Sequence, residues 1–133
     1  MGKTADDLGV QAVEFLTERH LGTMASVRVD GTPHVVAVGF TYDPESGVAR
    51  VITNDGSQKV RNAQRSGYVA LTQVDGPRWL TLEGPAQVSR DPDRVAEAVD
   101  RYAARYRQPR VNPNRVVVEV TVQRVLGSHT LLG

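Results

Sequence analysis

The chain has 133 residues, of which 40% are hydrophobic and 23% charged, a length and composition typical of one soluble globular domain. Sixteen basic residues against fifteen acidic ones leave a net charge of only +1, which argues against a dedicated nucleic-acid-binding protein. The absence of cysteine excludes disulfides, thiolate zinc sites and cysteine nucleophiles, so any redox chemistry requires a bound cofactor.

The N-terminal segment and the hydropathy of the chain predict where the protein is found. Residues 1–7 are polar and acidic, unlike a secretion signal. No stretch approaches the roughly 20 apolar residues that cross a bilayer. We therefore expect a cytoplasmic protein without membrane contact, folded as one domain over residues 1–133.

The N-terminal half of the chain predicts one helix and three strands. Apolar residues at helical spacing follow Asp6 and Asp7, either of which is a suitable N-cap. Further along, segments rich in β-branched residues, typical of strands, lie on both sides of Asp30-Gly31. This dipeptide is typical of tight hairpin turns. The predicted elements are a helix over about 7–19 and strands over about 23–29, 34–42 and 48–54, the strands in meander order.

The C-terminal half predicts two helices and three further strands. Ser57 and Gly67 bracket a short helix, and Asp91-Pro92 supplies an N-cap with proline at the first helical position. The predicted elements are helices over about 58–65 and for about four turns from 92, and strands over about 68–74, 79–89 and 116–123. Six strands and three helices without a βαβ rhythm predict a mostly β, antiparallel barrel with peripheral helices.

A strand end, a glycine turn, a hydroxyl residue and a helix start follow one another within residues 51–62. The free N–H groups of a first helical turn point outward with the positive end of the helix dipole, and Lys59 adds a full charge beside them. Ser57 can donate its hydroxyl to a phosphate oxygen, and Arg61 and Asn62 can extend the contact. On local chemistry alone, a plain helix cap with solvated Lys59 and Arg61 is the commoner arrangement for such a pattern, and a phosphate site is the alternative. Neither a dinucleotide fingerprint nor a phosphate-binding loop occurs.

Five segments together resemble the pyridoxamine 5'-phosphate oxidase-like split-barrel superfamily, and within it the deazaflavin (coenzyme F420)-dependent oxidoreductases, nearest the biliverdin reductase branch of actinobacteria. They are Thr32–Phe40, Val51–Thr53 with Gly56–Lys59, Gln73–Leu80, Leu82–Gly84 and Arg105–Arg107. The likeness extends from about Phe15 to Leu132. It implies a six-stranded antiparallel split β-barrel with about three peripheral helices, forming a homodimer with cofactor sites in grooves between the protomers.

The resemblance also implies which residues bind the cofactor. Those predicted to contact its ring or ribityl region are Ile52, Thr53, Val36 and, from the opposite protomer, Trp79. Those predicted to hold its phosphate are Ser57, Gln58, Lys59 and Asn62. No catalytic residue is assigned, because a lone histidine at a strand start, such as His34, is more often structural than catalytic. His20, His34 and His129 lack metal-ligand spacing, so no metal site is expected.

The function implied by the resemblance is hydride transfer from reduced F420 to a conjugated acceptor, with biliverdin the foremost substrate. Two alternatives stay open: an FMN-binding pyridoxamine 5'-phosphate oxidase-like oxidoreductase, and a non-catalytic cofactor-, haem- or tetrapyrrole-binding module. The deazaflavin carries an oligoglutamate tail that FMN lacks. Arginines considered as partners for that tail or for the acceptor's propionates are Arg28, Arg50, Arg61, Arg65 and Arg78.

Overall fold

The computed structural model describes residues 2–133, so Met1, the first residue of the predicted domain, lies outside it. The strands are β1 (Gly22–Val27), β2 (Pro33–Val38), β3 (Phe40–Asp43), β4 (Val48–Asn54), β5 (Tyr68–Asp75), β6 (Arg78–Ser89), β7 (Arg115–Thr121) and β8 (Arg124–Gly127). The helices are α1 (Val10–Thr17), α2 (Gln58–Ser66), α3 (Pro92–Arg105) and α4 (His129–Leu132), preceded by a 3₁₀ turn at Ala5–Asp7. Among these residues, every helix is too short or too polar to span a bilayer.

All eight strands pair antiparallel, in the order β2-β1-β5-β6-β7-β4-β3, with β8 also beside β6. The mostly β, antiparallel architecture is therefore confirmed, but the expected strand number of six is wrong, and the sheet does not close. Gly39 divides the predicted strand 34–42, so its first part pairs with β1 and its second with β4. The eighth strand, Arg124–Gly127, was not predicted, because four residues carry too little alternation.

The long strand β6 joins the two halves of the sheet. Its residues up to Pro85 pair with β5, and those from Ala86 pair with β7. Gly84 lies at this crossing, where a Cβ atom would stand 1.9 Å from the carbonyl oxygen of Thr121. Only glycine allows the two strands to approach so closely.

The start of the first helix differs from the prediction. Thr4, not Asp6 or Asp7, is the capping residue, and it caps the 3₁₀ turn: its hydroxyl accepts from the Asp6 N–H at 3.3 Å, and its own N–H donates to Asp7 at 2.7 Å. The reciprocal capping box stabilises the start of this turn, which ends at Asp7 because the backbone is extended at Leu8 and Gly9; α1 begins only after Gly9. The extended backbone at these two residues therefore shortens the predicted helix.

The core lies between the inward faces of the sheet and α1. Its largest buried side chains are Phe15, Phe40, Met24, Leu71, Leu80 and Leu82. Arg105, at the end of α3, reaches the edge of this core. Its guanidinium donates to the carbonyl oxygens of Glu18 at 2.9 Å and Phe40 at 2.6 Å, and to the Gln73 side chain. Burial lowers the pKa of Arg105 from its ordinary value.

Replacing Arg105 by leucine removes all three bonds. It leaves the side-chain oxygen of the buried Gln73 without a donor, whereas the Glu18 carbonyl oxygen still accepts from the His20 N–H at 3.0 Å and the Phe40 carbonyl oxygen still lies 3.1 Å from the Tyr106 hydroxyl. We expect Arg105→Leu to lower the free energy of unfolding by about 2 kcal/mol, because unsatisfied buried polar groups cost about 1–3 kcal/mol. Urea unfolding measures it. The matched control is Arg107→Leu, the same change at an exposed position, for which we expect less than about 0.5 kcal/mol. Equal stability of the two variants would contradict this role of Arg105.

Candidate functional site

A cavity of about 290 Å³, here called the Lys59 groove, runs along the outer face of β4 to the start of α2. Ile52, Thr53, Lys59, Tyr102 and Arg115 are among the residues that line it. Side chains alternate along β4, with Val51 buried in the core, so Ile52 faces outward into the groove. Three of the predicted site residues, Ile52, Thr53 and Lys59, are thus brought together.

Ser57 occupies the N-cap position of α2, as predicted, but its side chain makes no capping hydrogen bond. Its Oγ is buried and has no partner among residues 2–133. A buried hydroxyl without a partner is uncommon in folded proteins. Together with the free N–H groups of the first turn and the neighbouring Lys59, it fits an oxygen-rich anion such as a phosphate.

Asp55, in the turn before α2, is the carboxylate nearest this helix start in the sequence. Both of its oxygens accept from Arg90, at 2.8 and 2.7 Å, and these bonds hold the pKa of Asp55 below its usual range. Since the guanidinium offsets the negative charge, Asp55 opposes anion binding less than a free carboxylate would.

Gln58 and Asn62 lie on α2 but bond within the protein. Asn62 is fully buried, its Nδ2 donates to the Ser26 hydroxyl at 3.1 Å, and its Oδ1 accepts from Gln58 at 2.8 Å. Gln58 in turn accepts from Arg61 at 2.8 Å. The structure therefore places Asn62 as an anchor between α2 and β1, away from the groove.

The last two predicted residues lie elsewhere on the sheet. Val36 is half-buried and paired with Met24, and it packs against the core. Trp79 is 38% exposed and stands on the outward face of β6, opposite Val74. Neither lines the Lys59 groove.

Tyr102, on α3, also lines the groove. Its ring lies 4.9 Å from that of Tyr106, and the Tyr106 hydroxyl donates to the His20 carbonyl at 2.6 Å. Burial raises the pKa of Tyr106, which keeps the phenol protonated as a donor. A Cβ at Gly39 would come within 2.9 Å of the Tyr102 ring, so glycine leaves room for it.

One histidine does have acidic neighbours: ligand atoms of Glu18, His20 and Asp75 lie within 4.8 Å of one another. Arg78 donates to both Glu18 oxygens at 2.9 Å and also bonds Asp75. These bonds are the main cause that lowers the pKa of Glu18 to about 2. The arginine occupies the position that a metal cation would take, so the cluster is an ion-pair network.

His34 faces the interior near Ser26, its partner on β1, and its Nδ1 is buried without a hydrogen bond among residues 2–133. It does not line the Lys59 groove. The structure thus assigns it no contact with a ligand in that groove.

Comparison with known proteins identifies related chains. The family model described as pyridoxamine 5'-phosphate oxidase matches residues 8–129. A Mycobacterium tuberculosis protein described as F420H(2)-dependent biliverdin reductase is 58% identical over 132 residues, covering 99% of this chain and 96% of that protein.

Two solved structures have a similar fold. A conserved hypothetical protein of Mycobacterium tuberculosis has a TM-score of 0.78 and 23% identity, covering 95% of this chain and 89% of its own. A structure described as F420 reductase has a TM-score of 0.67 and 28% identity, covering 85% and 94% of the two chains. The first likeness concerns the fold alone.

Proposed function

The chain belongs to the pyridoxamine 5'-phosphate oxidase family, and from this premise we propose that it is a reductase that transfers a hydride from reduced coenzyme F420 to biliverdin. The observation that carries the proposal is the 58% identity, over nearly the whole of both chains, to a protein described as an F420H(2)-dependent biliverdin reductase.

The residues of the Lys59 groove fit the cofactor. Lys59 suits its phosphate, and Ile52 and Thr53 suit the adjoining ribityl or ring region. The partnerless Ser57 hydroxyl, two residues before Lys59 at the start of α2, suits the same phosphate, although Ser57 is not among the residues that line the groove. When bound, a deazaflavin supplies a hydride carrier. The contribution of this chain is to bind and orient it. Among the described lining residues none is Asp, Glu or His, so the titratable groups that one chain places around the groove are Lys59, Tyr102 and Arg115.

The proposal includes a homodimer with the site completed by the partner. The outward face of β1, β2, β5 and β6 is largely apolar, where an antiparallel sheet facing water normally alternates to polar residues; its polar members include Thr23, Thr72, Thr81 and Glu83. We call it the apolar face; its exposed residues are Val27, Val35, Tyr68, Val74 and Trp79. A second copy of this chain, packed with its own apolar face against this one, would shield both faces from water. Trp79 lies within this face, which supports its predicted role in the partner's site.

Charge introduced into the apolar face tests the dimer. Val35 is 58% exposed on β2, and we expect Val35→Arg to convert the protein to monomers, because the pair would bury two uncompensated charges. Sedimentation analysis measures the mass. Val10→Arg, at a 75% exposed position on α1, is the matched control and should leave the mass unchanged. A monomeric unsubstituted chain, or a dimeric Val35→Arg chain, would rule out this interface.

Titration with both cofactors and an acceptor screen test the activity. We expect the purified protein to bind F420 at micromolar levels and to reduce biliverdin with reduced F420. A protein that copurifies with one FMN per chain and does not bind F420 would instead be a flavin oxidoreductase. Tight tetrapyrrole binding without turnover under any electron donor would indicate a non-catalytic binding module.

The single domain over residues 1–133 and the cytoplasmic location complete the proposal. Limited proteolysis tests the first, because one compact domain yields one protected fragment. Cell fractionation tests the second.

A further inference from the structure

A second cavity, of about 360 Å³, adjoins the Lys59 groove. It is lined by Arg19, Leu21, Tyr102, Tyr106 and Arg107, and we call it the Arg19–Arg107 cavity. Tyr102 lines both cavities, so its ring forms a shared wall. The second cavity is therefore close enough to the groove for one ligand to reach both around the Tyr102 side chain, if it has a flexible arm.

The two cavities concentrate positive charge in a chain that is nearly neutral overall. Their lining includes Lys59 and Arg115 in the groove and Arg19 and Arg107 in the second cavity, and no carboxylate among the described residues. The lining of the two cavities is thus purely basic, whereas the whole chain has sixteen basic and fifteen acidic residues. The local field therefore favours an anionic ligand.

The side chains of Arg19 and Arg107 are also available. Within residues 2–133, neither guanidinium makes a hydrogen bond or ion pair. The arginines considered from the sequence differ, because their guanidinium groups are engaged within the protein. Their partners are Thr32 and Pro33 for Arg28, Glu97 for Arg50, Gln58 for Arg61, Val27 and Asn62 for Arg65, and Glu18 and Asp75 for Arg78.

The wall between the two arginines is held in place. Tyr106 is bonded to the His20 carbonyl, and Tyr102 packs against it. A preformed aromatic wall loses little conformational entropy on binding. Guanidinium groups on either side can form paired hydrogen bonds with a planar carboxylate.

We propose that the Arg19–Arg107 cavity binds a carboxylate of a ligand whose body lies in the Lys59 groove or against it. The inference rests on the proposed function and deepens it. Two sources share this chemistry: a glutamate of the cofactor's tail, and a propionate of the tetrapyrrole acceptor. Both are carboxylates on flexible arms, and the two can be separated by removing the carboxylate from each ligand in turn.

The test uses the full-length chain with Arg19→Gln, Arg107→Gln and the double substitution. The control is Arg110→Gln, which removes the same charge from an exposed arginine that lines neither cavity. Dissociation constants are measured by fluorescence or absorbance for four probes: F420, the same cofactor without its glutamates, biliverdin, and biliverdin dimethyl ester. Thermal unfolding verifies that each variant is folded.

Weakening of about tenfold or more in the double variant is expected for one carboxylate-bearing ligand only. If the tail is the source, F420 weakens and the tail-free cofactor does not. If the acceptor is the source, biliverdin weakens and its dimethyl ester does not. Unchanged binding of all four probes would overturn the inference, as would equal weakening of a ligand with and without its carboxylates.

Failure of the proposed function gives a different result from failure of this inference. An unsubstituted protein that binds neither form of F420 and neither tetrapyrrole refutes both. An unsubstituted protein that binds them, alongside a double variant that binds them equally well, refutes only the role of the Arg19–Arg107 cavity.

Discussion

A Lys59→Ala chain is expected to bind F420 about 5- to 150-fold more weakly than the unsubstituted protein while remaining as stable. The side chain lies beside the free N–H groups of α2 in the Lys59 groove, where it would form a charge-assisted hydrogen bond with the phosphate. Loss of such a bond costs about 1–3 kcal/mol, and every 1.4 kcal/mol is tenfold in affinity.

Fluorescence titration at two salt concentrations measures this effect. The affinity of the unsubstituted protein should fall more steeply with added salt than that of the variant, because salt screens the lost charge. Lys59→Arg retains the charge and should restore part of the affinity. Lys3→Ala, which removes the chain's other lysine, is the control and should bind normally. Unchanged affinity of Lys59→Ala would remove the phosphate assignment.

The second expected result concerns stability: Gly84→Ala should lower the free energy of unfolding by more than about 3 kcal/mol. An added Cβ would lie 1.9 Å from the Thr121 carbonyl oxygen, 3.0 Å from the carbonyl carbon of Thr121 and 3.1 Å from the Gln123 nitrogen. All three are backbone atoms, so no side-chain rotation relieves the clash. The strands β6 and β7 would have to move apart near Gly84, where β6 changes its pairing from β5 to β7.

Thermal unfolding measures this loss as a fall in Tm of about 10 °C or more for a chain of this size. Gly2→Ala is the control, because an added Cβ there meets nothing within 4 Å. Its Tm should equal that of the unsubstituted protein. A Gly84→Ala chain with an unchanged Tm would show that β6 and β7 are further apart than the structure has them.

The elements predicted most closely are those marked by local chemistry. The helix α3 begins at Pro92 behind Asp91, whose carboxylate accepts from the Asp93 N–H at 3.0 Å, and α2 begins after Ser57 and ends before Gly67. The strand β4 has the predicted bounds of 48–54. The residues that set the ends of the two helices directly flank them in the sequence, so these ends can be predicted from local sequence alone.

The predictions that differ from the structure depend on packing between distant residues. Gly39, where the predicted strand divides, lies against the Tyr102 ring, which is more than sixty residues away in sequence. Asn62 has the position of a phosphate ligand on α2, but Ser26 of β1 holds its amide inside the protein. Neither partner could be identified from the neighbouring residues.

The same distinction applies to the Lys59 groove. Short-range sequence predicts that Ser57 and Lys59 stand at a helix start with free N–H groups, because helix termini are set by the few residues around them. Which arginines stay free for a ligand depends on the whole fold. Arg78 meets Glu18 from 60 residues further along the chain, while Arg19 and Arg107 line one cavity without a partner among the described residues. Charges pair through space, so only the folded chain separates the engaged cations from the available ones.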